Sequence, residues 1–159
     1  MRSTTPEFEL HWARTAAEVR EALRVREQVF CREQGVPLTE EHDGLDDDAL
    51  HLLALVDSER IIGTLRLLLA GEVAKIGRVA VERDWRRRGI AARMLGAAVA
   101  LARQRGCQEA RLASQLAAKG LYERAGFTVV SEQFEEAGIA HVWMRMALGS
   151  RADEPRRRL

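Results

Sequence analysis

The stretch VAVERDWRRRGIAARML, residues 79–95, decides how the chain is to be read. It begins as an alternating apolar segment, passes through a cluster of arginines and one glycine, and enters an alanine-rich run with helical composition. A helix start presents backbone N–H groups without intrahelical partners, and its aligned peptide dipoles place partial positive charge there. Gly89 lacks a Cβ and lets the backbone approach a ligand closely, while Ala91 and Ala92 keep the first turn uncrowded. Arg86, Arg87 and Arg88 add full charges. Together these features describe a pyrophosphate cradle; the plainer alternative is a solvated basic turn before an amphipathic helix. The Gly-Lys-Ser/Thr ending of a Walker A loop is missing, as are the three glycines of a dinucleotide-binding unit.

The rest of the composition makes that cluster a local feature. A net charge of +1 argues against bulk positive charge for coating nucleic acid. At 159 residues, 47% apolar and 31% charged, the chain suits one soluble globular domain. The longest apolar run, IIGTLRLLLA, is broken by Arg66 and falls well short of the roughly 20 residues that span a bilayer. No secretory signal opens the chain, and Cys31 and Cys107 are neither paired in sequence nor spaced as metal ligands. With His11, His42, His51 and His141 scattered, the expectations are a cytoplasmic protein and no metal.

Element signals run outward from the central stretch. EFELHWAR alternates as a half-buried strand, and Thr15 with Glu18 has the form of a capping box. Val19, Leu23, Arg26 and Phe30 recur at helical spacing, predicting a helix that ends before Gly35 and Pro37. EEHDGLDDD reads as an acidic surface loop. HLLALV, RIIGTLRLLL and VAKIGRVAV predict an antiparallel meander. A helix over 88–104 follows, closed by Gly106, then a strand in CQEARLAS, a short helix in AAKGLYERAG, and strands in FTVVSE and AHVWMRMAL. The fold class is α+β: a mixed, mainly antiparallel central sheet flanked by helices in a single domain, residues 1–150, with a basic disordered tail at 151–159.

RRRGIA, with Arg86, Gly89 and Ala91, matches the Gln/Arg-x-x-Gly-x-Gly/Ala motif of the GCN5-related N-acetyltransferases, and the chain resembles that family. RVAV resembles the end of the family's fourth strand, and GLYERAGF resembles its second signature. VREQVFCREQGVP, the acidic segment and HLLALV resemble the N-terminal half of small bacterial members. The resemblance implies acetyl-coenzyme A as co-substrate. It implies that the backbone of Val79, Ala80 and Val81 binds the pantetheine arm beside a strand bulge that opens a cleft. The pyrophosphate then lies within Arg86, Arg87, Arg88, Gly89, Ile90, Ala91 and Ala92. Where many members carry an asparagine seven residues before the tyrosine, this chain has Gln115, beside Ser114.

The implied chemistry is acetyl transfer from the thioester directly to a primary amine of a small molecule. Val79 is the implied donor to the oxyanion, and Tyr122, the only tyrosine, is the implied acid for the leaving thiolate. A primary amine is mostly protonated at neutral pH, so a base is useful. Glu33, Asp46, Asp47, His51 and His141 are acceptor-side candidates that no spacing separates, and each has a plainer reading as a sheet residue or a loop charge. Cys31 and Cys107 lack a neighbouring histidine and read as packing residues rather than nucleophiles. The alternative function is an acyl-coenzyme A sensor with weak turnover, against which Tyr122 argues. The expected partners are the co-substrate and an amine, with no nucleic acid, no membrane, and room for a homodimer.

Overall fold

The computed structural model describes residues 7–149, so the basic tail expected at 151–159 lies outside the described residues. In chain order the elements are β1 (Phe8–Trp12), α1 (Ala16–Arg26), a π-helical segment (Glu27–Glu33), α2 (Leu38–Glu41) and a 3₁₀ turn (Asp46–Asp48). Next come β2 (Leu50–Val56), β3 (Arg60–Ala70), β4 (Val73–Val81), a 3₁₀ turn (Arg83–Trp85) and α3 (Ile90–Gln104). The chain ends through β5 (Glu109–Gln115), a 3₁₀ turn (Leu116–Ala118), α4 (Lys119–Arg124), β6 (Thr128–Val129), β7 (Phe134–Glu136) and β8 (Ile139–Ala147). Hydrogen bonds join the strands in the order β1-β2-β3-β4-β5-β8-β6, with β7 on β8. β4 pairs with β5 in parallel; β1–β2, β5–β8, β6–β8 and β7–β8 are antiparallel. This is the expected α+β fold with a mixed, mainly antiparallel sheet.

Two compact units divide the chain. One holds the chain up to Arg66 together with Arg78–Met94, and the other holds Leu67–Gly77 and the chain from Leu95 onward. In the first, the Glu18 amide donates to Thr15 Oγ1 at 3.1 Å, capping α1 as its sequence predicts. The reciprocal bond comes from the Arg14 amide to Glu18 Oε1 at 3.2 Å, one residue earlier than in an ideal capping box. Ala22 and Val25 of α1 and Val29 of the π segment pack with Leu53, Ile61 and Ala80 in one cluster. That burial, rather than helix propensity alone, fixes α1 against its strands. The helix continues past Arg26 with π winding, which carries Glu33 to the segment's end.

In the second unit, β5 and β8 pair from Glu109 opposite Ala147 to Gln115 opposite His141. Ala110, Leu112 and Ser114 are buried, while Arg111, Ala113 and Gln115 alternate outward, the half-buried pattern of a strand with one packed face. Gly106 follows α3 with φ 83°, as predicted. Gly126 stands at φ 107°, and a Cβ there would lie 3.0 Å from Met146 Sδ. The conformation therefore favours glycine in the turn that turns Phe127 into the core, and a Cβ there would also press on the Met146 side chain.

Three expectations change at this level. α3 begins at Ile90, not residue 88, because Arg87 and Gly89 both have positive φ and hold the chain out of the helix. The strand read in FTVVSE pairs only over Thr128–Val129. β7 (Phe134–Glu136) was not expected, because its one apolar residue carries no alternation; pairing with β8 makes it a strand.

Candidate functional site

Within β4, Arg78 stands at φ 52°, a left-handed conformation uncommon for a residue with a Cβ. The kink falls one residue before Val79, Ala80 and Val81, where the resemblance implies a bulge. The Arg78 guanidinium donates to the Glu41 carbonyl at 3.1 Å and to Asp43 Oδ2 at 3.3 Å. Its Nε lies 2.7 Å from Glu41 Oε2, an ion pair by distance whose N–H does not point along the line to the oxygen.

Those carboxylates belong to a clamp. Arg26, fully buried, donates to Glu41 Oε1 at 2.8 Å and to Asp46 Oδ1 at 2.6 Å. Arg66 grips Asp43 with two bonds of 2.8 and 2.7 Å and reaches Asp46 at 3.2 Å. Burial pushes the Asp43 carboxyl up, but bonds from Arg66 and the Leu45 amide and the charges of Arg66 and Arg78 outweigh it and hold it at about 2. Asp46 is likewise lowered, against its burial, by Arg26 and Arg66. The reading of EEHDGLDDD as an acidic surface loop therefore holds for most of its residues and is corrected at Glu41, which is buried, and at Asp43 and Asp46, which are paired. Glu41 is 2% exposed, and Asp43 and Asp46 are locked to arginines arriving from α1, β3 and β4. Asp47 and Asp48 remain exposed. A half-buried carboxylate held by two arginines is a poor base, so Asp46 leaves the acceptor-side candidates.

The turn after β4 leads directly into the start of α3, where the sequence reading expects the cradle. The first bond of α3 runs from the Arg93 amide to the Gly89 carbonyl at 3.1 Å, so the amides of Ile90, Ala91 and Ala92 have no acceptor inside the helix. Gly89 has φ 78°, and a Cβ there would meet no atom within 4 Å. The glycine is thus required by conformation, and the space over it is open. The arginines are not a uniform positive wall. Arg86 Nε donates to the Val81 carbonyl at 2.9 Å and its Nη2 donates to Glu33 Oε2 at 2.8 Å. Arg88 lies over the Trp85 ring, 4.9 Å from its centroid, and donates to the Asp84 carbonyl. Arg87, exposed and at φ 63°, has no side-chain partner among the described residues.

Glu33, from the acceptor-side list, is paired with Arg86 and lies 3.9 Å from Arg83. His51, 3% exposed, has Nε2 2.9 Å from the Asp46 carbonyl; as carbonyls only accept, Nε2 carries the proton and His51 ties β2 to the clamp. Cys31 is partly buried and Cys107 is buried. The π winding that delivers Glu33, and the acid partners of Arg26 and Arg78, escaped the sequence reading. Arg26 on the apolar stripe of α1 was the one available signal.

In the second unit, Tyr122 on α4 is 7% exposed and its ring meets Phe127 edge-on at 6.3 Å. Burial alone pushes its hydroxyl up to about 12. Gln115 ends β5 directly opposite His141. His141 Nδ1 donates to the Ile139 carbonyl at 2.7 Å, and its ring stacks on Phe134. Among the described residues no three His, Cys, Asp or Glu side chains gather as metal ligands, and no helix is long and apolar enough to cross a membrane.

An amide-lined helix start after a kinked strand, on this mixed sheet, forms a site suited to an anion. Residues 16–148 match the family model described as an acetyltransferase (GNAT) domain, and the chain belongs to that family. It is 32% identical to the uncharacterized N-acetyltransferase YjcF of Bacillus subtilis, over 83% of this chain and 94% of the relative. An acyl-CoA N-acyltransferase from Pseudomonas aeruginosa superposes with TM-score 0.79 at 30% identity, covering 89% of this chain and 100% of that one. Escherichia coli ElaA shares the fold with TM-score 0.78 at 23% identity, over 88% and 99% of the two chains. The chain is an acyltransferase of the GNAT type.

Proposed function

We propose that the chain moves acetyl from acetyl-coenzyme A directly to a primary amine of a small molecule, that residues 1–150 form its N-acetyltransferase domain, and that it works in the cytoplasm. The observation that carries this reading is the start of α3, where three amides without helical acceptors lie beside Gly89 at φ 78° with open space above it. A diphosphate fits such a site through main-chain donors and the helix dipole. Arg86 and Arg88 shape the turn through their own contacts, and Arg87 is left to supply a free cation.

The backbone of Val79, Ala80 and Val81 follows the Arg78 kink and is the proposed contact for the pantetheine arm, with the Val79 amide as donor to the developing oxyanion. Such donors contribute about 3–4 kcal/mol in other acyl-transfer sites. Tyr122 is the proposed donor to the leaving thiolate. With its hydroxyl near 12 and an alkyl thiol near 8.5, full proton transfer runs uphill by roughly 5 kcal/mol, so Tyr122 acts by a hydrogen bond. The amine's nitrogen bonds to the acetyl carbon, the C–S bond breaks, and the proton lost as the amide forms ends on the thiol. Gln115 completes the proposed co-substrate contacts, and Glu33, His51 and His141 are the acceptor-side groups. Of these, His141 is preferred, since Glu33 is paired with Arg86 and the one unbonded ring nitrogen of His51, Nδ1, is buried.

Thiol release from acetyl-coenzyme A across a panel of amines tests the reading. Amine-dependent release with a matching acetylated product supports it; tight co-substrate binding with no release from any amine favours the sensor.

A further inference from the structure

We propose that the outer face of β7 and β8 is the amine subsite, and that the acceptor is a primary amine carrying an aromatic or other flat apolar tail. This deepens the acetyltransferase reading and rests on it. Phe134 of β7 stacks on two residues of β8: on His141 with centroids 5.8 Å apart and planes 25° apart, and on Trp143 at 5.6 Å and 22°. The three rings form one continuous stack. Its outer member, Trp143, is 47% exposed, whereas Val142 and Met144 on the other face of β8 are buried. Ala113 pairs with Trp143 on β5, and its methyl group takes little room beside the indole. Val130, whose amide donates to the Trp143 carbonyl, adds a 54% exposed apolar flank.

The charges choose the occupant. A carbonyl only accepts, so the bond to Ile139 puts the neutral ring's proton on His141 Nδ1 and leaves the Nε2 lone pair free to accept. Nε2 lies 3.9 Å from Glu136 Oε2. Two acceptors at that separation do not bond each other, but an ammonium, with three N–H donors, bridges them. Glu136 shares the Phe134 face of β7, two residues along the strand, and no arginine or lysine pairs with it among the described residues. The cations further along this face, Arg111 and Arg145, are both held by Glu109. The acidic end of the stack therefore receives the ammonium, and the rings of Phe134 and Trp143 receive the tail.

The test is calorimetric titration of 2-phenylethylamine and of ethylamine into the full chain saturated with coenzyme A. The phenyl compound binds at least about tenfold more tightly, and Trp143→Ala removes that preference. Glu136→Gln, at an exposed position, weakens both amines alike. Equal affinity for the two amines, binding of neither, or unchanged dissociation constants in both variants overturns the subsite while leaving the acetyltransferase reading intact. A Trp143→Ala variant that turns a dimer into a monomer in sedimentation with amine binding unchanged also overturns it, marking the face as an interface between copies. Absence of coenzyme A binding at the outset overturns the reading and the subsite together.

Discussion

Tyr122 is the only tyrosine in the chain, so the near-ultraviolet absorbance of tyrosinate titrates this residue alone. Burial predicts a midpoint of about 12, and a midpoint near the ordinary value of about 10 contradicts the burial described above. A raised value also sets the sign of a stability effect. The fold favours the neutral phenol, so its contribution is complete below about pH 10 and is lost as pH rises from there through about 12. Melting temperatures of Tyr122→Phe should decline less steeply than wild type across that window. The same substitution keeps the ring and removes only the hydroxyl. Turnover should fall roughly ten- to a hundredfold, the value of a hydrogen bond to a charged group, with co-substrate affinity preserved. Wild-type turnover would mean that water serves the thiolate.

At the scale of elements, the clamp and the cradle make opposite demands on their arginines. Glu41→Ala leaves the fully buried Arg26 with Asp46 alone and Arg78 with Asp43 alone, so it should cost about 3–5 kcal/mol in urea unfolding. Asp47→Asn with Asp48→Asn, on exposed side chains, should change stability by less than about 0.5 kcal/mol. Equal effects of the two would remove the clamp. Asp43, held at about 2 against an ordinary value near 3.9, contributes stability above about pH 4 that is lost as pH falls toward 2; Asp43→Asn should flatten that acid limb. By contrast, Arg86→Ala breaks a partly exposed pair with Glu33, and acetyl-coenzyme A should bind within about tenfold of wild type. A thousandfold loss would show that the Arg86 side chain holds the ligand itself. α1 with its Thr15 cap, the β2–β4 meander and the body of α3 were legible in sequence because each signal is local, whereas the positive φ of Arg87 and Gly89 that delays the α3 start to Ile90 was not. The clamp was not, because Arg26, Arg66 and Arg78 meet Glu41, Asp43 and Asp46 only through the tertiary fold, and acidic residues near turns read as solvated. β7 was missed because pairing with β8 and ring stacking stabilise it, rather than its own pattern.

For the whole molecule, the RRRGIA motif pointed to the proposed cradle at the α3 start because main-chain chemistry follows directly from glycine and a helix start. It could not tell where the arginine side chains go, and two of the three are spent on Glu33 and Trp85. Titration of acetyl-coenzyme A into wild type, Gly89→Ala and Gly89→Glu tests the central claim of a backbone-built anion site. Both substitutions place a Cβ at φ 78° and should lower stability by a similar amount, on the order of 1 kcal/mol. Only the glutamate adds bulk and negative charge in the open space over the α3 amides. The account predicts binding in wild type, weaker binding in Gly89→Ala and none in Gly89→Glu at matched folded fractions, whereas a wild-type dissociation constant in Gly89→Glu would contradict it.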